Sequence, residues 1–97
     1  FGNTELKMFV FFHFTNLLNS MYPAYRKYKD RDVWFEIVSP DLFFEVNKIG
    51  EKYLLTETKA IQFPEKLRIT DMMDCAEGAW EKITQETYSK ILEKVKF

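Results

Sequence analysis

Residues 33–47 read VWFEIVSPDLFFEVN, and this stretch decides the fold. Aromatic and β-branched side chains dominate on both sides of the short segment 39–41, which predicts two strands joined by a turn. A connection of this length requires the two strands to be antiparallel neighbours. Side chains alternate between the faces of a strand. The predicted faces are Val33, Phe35 and Ile37 against Trp34, Glu36 and Val38, and then Leu42, Phe44 and Val46 against Phe43, Glu45 and Asn47.

Two further elements flank this hairpin in the predicted order. A turn over 48–51, which contains Gly50, leads into a third strand over 53–63. Ahead of the hairpin, apolar residues recur at steps of three and four over 5–21, which predicts a helix ended by Pro23. Residues 7–14 are apolar nearly all round, so a buried strand over that segment stays open as an alternative.

The C-terminal third predicts two helices. A helical spacing is followed by Met72, Cys75, Ala76, Ala79, Trp80 and Ile83, and Thr70 or Asp71 caps that helix. Thr84 then caps a last helix whose apolar face is Tyr88, Ile91, Leu92 and Val95.

The predicted fold class is therefore α+β in one domain, 1–97. It consists of an N-terminal helix, a three-stranded antiparallel meander and a C-terminal helix pair packed on the sheet. One face of the sheet is expected to meet the helices, whereas the other is only partly polar.

Aromatic residues make up 18% of the chain, with ten Phe, five Tyr and two Trp among 97 residues. Each buries about 150 to 250 Å² when it is enclosed, so a domain of this size is expected to leave some rings facing a partner. The formal net charge is −1, which provides no overall field for nucleic acid or an anionic membrane.

A single cysteine excludes an internal disulfide and favours an intracellular, cytoplasmic location. Residues 8–25 lack charged side chains, but polar residues and Pro23 interrupt them, so no membrane partner is expected.

No pattern in the chain predicts catalysis, a metal or a cofactor. His13 and Cys75 are the only residues of their types, and no spacing links them to a third catalytic group or to further metal ligands. The glycines stand alone, which excludes a phosphate-binding loop. Asp71, Asp74 and Glu77 recur at steps of three, an arrangement more typical of a solvated helix face than of a calcium site. We therefore expect a protein that is not an enzyme.

The leading hypothesis is a non-enzymatic protein-binding module of the immunity-protein, inhibitor or assembly-subunit type, with self-association included. Tyr, Trp, Phe and Arg are enriched at the centres of interfaces. The alternative for the same rings is a second core, with the sheet covered on both faces. The predicted partner-binding residues lie off the main apolar face of their elements or in the basic segment after Pro23: Phe11, Phe12, Tyr22, Tyr25, Arg26, Tyr28, Trp34 and Phe43.

Two other functions remain open from the sequence. Residues 22–31 interleave rings with positive charge, as nucleic-acid-binding segments do, and the candidates there are Tyr25, Arg26, Lys27, Tyr28 and Arg31. A small-molecule pocket centred on His13 and its neighbouring phenylalanines is the third hypothesis.

Residues 71–97, DMMDCAEGAWEKITQETYSKILEKVKF, carry a resemblance to a known family. An aspartate opening a helix, an Ala-Trp pair, a Thr before a second helix and a final Phe are similar to the helical tail after the catalytic core of pogo and jerky type transposase-derived proteins. The likeness covers barely a quarter of the chain. Upstream residues show nothing of that catalytic core, so the resemblance implies no nuclease function.

Overall fold

The computed structural model describes residues 21–96, which form an α+β domain with an antiparallel sheet and two α-helices. The α+β class predicted from the sequence is thus confirmed at this level, whereas the sheet has five strands rather than three. The elements are β1 (Ala24–Tyr28), β2 (Val33–Ser39), β3 (Leu42–Ile49), β4 (Lys52–Lys59), α1 (Phe63–Asp74), a short 3-10 helix (Ala76–Gly78), β5 (Trp80–Lys82) and α2 (Gln85–Leu92).

The strands lie in the order β4-β3-β2-β1-β5, with every neighbouring pair antiparallel. The register confirms the faces predicted for the central hairpin, since Trp34 lies opposite Val46 and Ile37 opposite Phe43. A two-residue loop joins β3 to β4, with Gly50 at a φ of 64°. Glycine adopts that conformation without the clash that a Cβ would cause, which explains its place in a tight hairpin.

Two strands were not expected from the sequence. Residues 24–28, predicted only as a basic segment after Pro23, form β1 beside β2. Residues 80–82, predicted as part of a helix, form β5 on the far side of β1. Both are short, and β1 contains two charged residues, so neither shows the composition by which isolated strands are predicted.

The first C-terminal helix was predicted in the wrong place. The observed α1 covers Phe63–Asp74 and begins with Pro64 in its first turn, where the missing N–H costs no hydrogen bond. It ends at Cys75, which has a φ of 51° in the left-handed region. The helix predicted to continue through Ala79 and Trp80 is therefore interrupted at Cys75. The strand predicted over 53–63 corresponds to β4, which ends at Lys59.

The last helix agrees with its prediction at the N-terminus. Thr84 caps α2, and its side-chain oxygen accepts a hydrogen bond of 3.1 Å from the backbone N–H of Thr87. Its buried residue is Tyr88, and Val95 beyond the helix end is buried in the same cluster.

Both faces of the sheet are covered, contrary to the expectation that only one would meet the helices. Phe35, Ile37 and Phe43 are fully buried on the face that packs against Ile69 and Met72 of α1. The opposite face forms a second cluster, in which α2 and the residues after it cover β1 to β4. This second cluster consists of Tyr25, Trp34, Val46, Tyr88 and Val95, with Tyr53, Leu55, Ile83, Ile91 and Leu92 packed at its border.

The predicted N-terminal helix over 5–21 and its strand alternative over 7–14 lie outside the described residues, apart from Met21. Between residues 21 and 96, neither helix combines the length and the apolar character needed to cross a membrane.

Candidate partner-binding surface

The residues predicted to bind a partner do not form one surface. Alternation along β1 places Tyr25 on the face covered by α2, together with Trp34. Tyr28 packs at the border of the other cluster, and Phe43 lies inside it. Phe11 and Phe12 lie outside the described residues, so their role remains a prediction.

The expectation that these rings would be exposed is wrong for three of them. Tyr25 is 9% exposed, Trp34 is 7% exposed and Phe43 is fully enclosed. The reason is the two-sided core, which was the alternative for these rings. They make ring contacts within the chain, such as Tyr25 with Tyr88 at 5.4 Å and Trp34 with Tyr53 at 6.1 Å between centroids.

Arg26 was also expected at the surface, yet it is buried. Its Nε donates to the Met72 carbonyl at 2.9 Å, and its Nη2 donates to the Met73 carbonyl at 3.2 Å. A third bond runs from Nη1 to the Tyr25 carbonyl at 2.8 Å. Because the last carbonyls of a helix lack partners within it, the guanidinium satisfies the C-terminal end of α1 and complements the helix dipole there. Arg26 is thus a structural link between β1 and α1.

Tyr28 and Tyr22 are half-buried. Tyr28 stacks on Trp80 at 5.2 Å and meets the edge of Phe35 at the same separation. The guanidinium carbon of Arg31 lies 5.7 Å from the centroid of Tyr28. Burial, with a smaller contribution from Asp41, raises the pKa of Tyr22. The basic residues of this segment do not share one surface: Arg26 reaches the end of α1, Lys27 Nζ lies 5.9 Å from the centroid of the Trp34 ring on the other face, and Arg31 is in the loop after β1. Nucleic-acid binding by residues 22–31 stays an untested prediction.

A buried tyrosine pair lies under α2. The Tyr25 hydroxyl donates to Glu36 Oε2 at 3.1 Å, and burial together with that carboxylate raises the pKa of Tyr25. Burial raises the pKa of Tyr88 still further. Among residues 21–96, the Tyr88 hydroxyl is enclosed without a hydrogen-bond partner. Both tyrosines therefore keep their phenol protons near neutral pH, and they contribute to the core as neutral, packed side chains.

Arg68 covers the phenylalanine rings on the sheet face that packs against α1. Its guanidinium carbon lies 5.5 Å from the centroid of Phe35 and 5.4 Å from that of Phe43. Its Nη2 also lies 3.4 Å from Glu45 Oε1. Because the aliphatic stem and the planar head of arginine can cover apolar surface while the charge stays partly solvated, Arg68 acts as a lid on this core.

An exposed apolar surface remains at the start of α1. Ile61 is 78% exposed, Phe63 is 75% exposed and Leu67 is 46% exposed. Phe63 and Leu67 are four residues apart and therefore neighbours on one side of the helix. The N–H of Ile61 donates to Glu65 Oε2 at 3.0 Å, which fixes the chain at the helix entry. We call Ile61, Phe63 and Leu67 the 61–67 surface.

Sequence reasoning missed the 61–67 surface because it assigned residues 53–63 to a strand and placed the helix start near Asp71. The signal that could have found it is Pro64, since proline favours the first turn of a helix. With the helix begun there, Ile69 and Met72 fall on the buried side and Phe63 and Leu67 fall outside.

The other sequence candidates do not assemble into a site. His13 lies outside the described residues. Cys75 is half-buried at the end of α1, not within a helix. Asp71, Asp74 and Glu77 do not share a helix face, because the helix ends before Glu77. Within 21–96, no three His, Cys, Asp or Glu side chains come close enough to hold a metal ion.

Comparisons with protein-family models, with curated proteins and with solved structures found no significant match to this chain. The tail similar to pogo and jerky type proteins is not a pair of helices in the structure, since Trp80 begins β5 and Ala79 directly precedes it.

Proposed function

We propose that this chain is a non-enzymatic protein-binding module that holds one protein partner through the 61–67 surface. A single observation carries the proposal: of the eleven aromatic side chains within 21–96, only Phe63 is exposed. The other ten rings of this part of the chain are buried or half-buried. Burying a phenylalanine stabilises a protein by about 1.5 to 3 kcal/mol, and an interface would supply that burial for Phe63.

The surroundings of Phe63 resemble the centre of an interface. Ile61 and Leu67 add exposed apolar side chains within four residues of Phe63, and the polar residues Gln62, Lys66 and Thr70 along the same segment are also exposed. Aromatic anchors bordered by polar residues that exclude water are the usual arrangement of binding hot spots. A stable interface buries about 800 Å² on each partner, so these three apolar side chains act as its anchor and the partner must offer an apolar pocket.

The same geometry supports binding over catalysis. The buried polar groups of the described residues hold the two cores together: Arg26 ends α1, and Tyr25 bonds Glu36. An open depression at the end of β1 has a volume of about 260 Å³ and is lined by Tyr28, Asp30, Arg31 and Ala79. It contains no pair of groups arranged as nucleophile and base, which an activated nucleophile requires.

The test compares two variants that each remove one exposed apolar side chain. Phe63→Ser changes the 61–67 surface, and the control Ile49→Ser changes the last residue of β3, which is 58% exposed. The wild type and both variants are used as bait in pull-downs from native lysate, and their masses in solution are measured by light scattering. We expect a specific partner, or a second copy, that the wild type and the control retain. Losing the Phe63 anchor should weaken binding by about 30-fold, which corresponds to a hot spot of about 2 kcal/mol.

Equal retention by Phe63→Ser and by the wild type would overturn the role of this surface. A monomer that retains no protein in either form would overturn the proposal as a whole.

A further inference from the structure

The sheet ends on one side in β4, whose outer edge is long, regular and unpaired within residues 21–96. The strand covers Lys52–Lys59, whereas β5 at the other end of the sheet has three residues. The pairing of β4 with β3 contains no bulge, and the strand contains no proline. Bulges, prolines and charges along the strand are the usual devices that prevent edge-to-edge pairing. Between its two terminal lysines, β4 carries a single charged residue, Glu57.

The hairpin geometry decides which backbone groups of β4 point outward. The pair next to a two-residue loop exchanges hydrogen bonds, and bonded pairs then alternate with non-bonded pairs along an antiparallel ladder. Ile49 and Lys52 form that first pair. The N–H and C=O groups that point away from β3 therefore belong to Tyr53, Leu55 and Glu57. Unpaired groups at a sheet edge are available to another strand.

We propose that β4 pairs antiparallel with β4 of a second copy of this chain across a twofold axis, so that the two five-stranded sheets join into one. The axis passes at Leu55, which lies opposite Leu55 of the second copy. Counting outward from the axis, Tyr53 lies opposite Glu57, and Glu51 in the preceding loop lies opposite Lys59. All the outward-pointing groups of the strand then exchange hydrogen bonds, about six in total. β4 is thus complementary to its own reversed sequence, which makes a second copy the occupant of this edge.

Charge selects this register among those that a twofold axis allows. An axis at Leu54 would place Glu51 opposite Glu57, and like charges directly opposite each other destabilise a strand pair. An axis at Thr56 would place Leu55 opposite Glu57 and would leave Glu51 without a cation. An axis closer to either end of β4 would shorten the paired segment. The axis at Leu55 alone combines opposite charges at both ends with an apolar pair at the centre.

The side chains on the sheet face covered by α2 fit the same register. Tyr53 and Leu55 are half-buried at the border of the second cluster, and the contact between the two Leu55 side chains would bury them further. Glu57 is exposed, and within 21–96 its carboxylate lies more than 4.0 Å from any cationic group. In the pair, Glu57 lies beside Tyr53 of the second copy, whose ring centroid is 5.5 Å from Lys94 Nζ. The edge therefore offers this carboxylate a positively charged environment.

The test exchanges two charges that meet only between copies. Glu51→Lys and Lys59→Glu each place like charges opposite each other at both ends of the joined strands, and each should weaken dimerisation by about 10-fold. The double variant, Glu51→Lys with Lys59→Glu, restores opposite charges and should dimerise within about 3-fold of the wild type. Residues 51 and 59 lie at opposite ends of β4, roughly 26 Å apart, so no contact within one chain can produce this rescue.

Sedimentation equilibrium measures mass against concentration, up to about 500 μM because an edge-to-edge interface belongs to the small, weak class. We expect the wild type to move from 11.7 kDa toward twice that mass. The control Lys82→Glu makes the same charge change as Lys59→Glu, but on β5 at the opposite end of the sheet, and should dimerise like the wild type. Circular dichroism verifies that each variant is folded.

A monomer over the whole concentration range would overturn the proposal. A double variant that dimerises no better than the single variants would also overturn it, because the strands would then not pair in this register. The β4 edge is separate from the 61–67 surface, so Phe63→Ser should dimerise like the wild type. If dimerisation were lost in Phe63→Ser but unchanged in the β4 variants, self-association would use the 61–67 surface and the pairing of β4 would be wrong.

Discussion

Replacing Arg26 with methionine removes the buried guanidinium that joins β1 to the end of α1. Methionine is uncharged and matches the aliphatic stem of arginine, so the change removes the hydrogen bonds while it retains the packing of the stem. Three bonds are lost, to the carbonyls of Met72, Met73 and Tyr25.

The size of the effect follows from two opposing contributions. A hydrogen bond from a charged donor stabilises by about 1.5 to 3 kcal/mol, so three of them amount to roughly 4 to 9 kcal/mol. Burying the guanidinium costs several kcal/mol, which the methionine variant avoids. We expect Arg26→Met to lower the free energy of unfolding by about 2 to 4 kcal/mol. For a domain of this length, the melting temperature should fall by roughly 10 to 30 °C.

Urea and thermal unfolding followed by circular dichroism measure this change. The matched control is Arg31→Met, because Arg31 is exposed and its guanidinium lies over the ring of Tyr28. That control should cost less than about 1 kcal/mol, as most surface substitutions do. Arg26→Lys should lie close to the methionine variant, because an ammonium cannot reproduce the planar fork. If Arg26→Met unfolds within about 1 kcal/mol of the wild type, the link between β1 and α1 contributes little and the reasoning is refuted.

Three further predictions concern stability. Tyr88→Phe should raise the free energy of unfolding by about 1 kcal/mol, because the enclosed Tyr88 hydroxyl lacks a hydrogen-bond partner within residues 21–96. Tyr25→Phe should lower the free energy of unfolding by a similar amount, because the bond to Glu36 is lost. Urea unfolding measures both changes, and the opposite signs would contradict this prediction. The pKa values of Tyr25 and Tyr88 are raised above 10.0, so the folded state holds these protons more tightly. The contribution of these two groups to stability should be fully present below about pH 10 and should be lost as pH rises through the folded pKa values. If a double phenylalanine variant retained the full loss of stability at high pH, these tyrosines would be excluded as its cause. Glu77 is exposed at a φ of 56°, a conformation that glycine adopts with less strain than glutamate. Glu77→Gly should therefore raise the melting temperature by a few degrees, whereas Glu81→Gly in β5 should lower it. A lower melting temperature for both variants would show that glycine relieves no strain at position 77.

Much of the central sheet could be predicted because its signals are local. The period-two pattern of 33–47 and the glycine in the β3–β4 loop depend only on neighbouring residues, and the structure has both hairpins there. The capping of α2 by Thr84 is local in the same sense.

The candidate site could not be predicted in the same way. Whether Trp34 or Phe43 reaches the surface depends on what covers each face of the sheet, and α1 and α2 lie far from both in sequence. Arg26 appears polar in any reading of the sequence, yet the end of a helix 46 residues away supplies its partner. Phe63 appeared to end a strand, but it is the first residue of a helix and its ring is exposed.

The sequence by itself determined the α+β class, the two central hairpins and the start of the last helix, because alternation, turn chemistry and capping act over a few residues. The tertiary structure alone decided that the sheet has five strands and two covered faces, since burial and long-range pairing depend on which distant segments meet. For this reason Tyr25, Trp34 and Phe43, which were expected at the surface, became core, and the exposed ring within residues 21–96, Phe63, is one that the sequence had assigned to a strand.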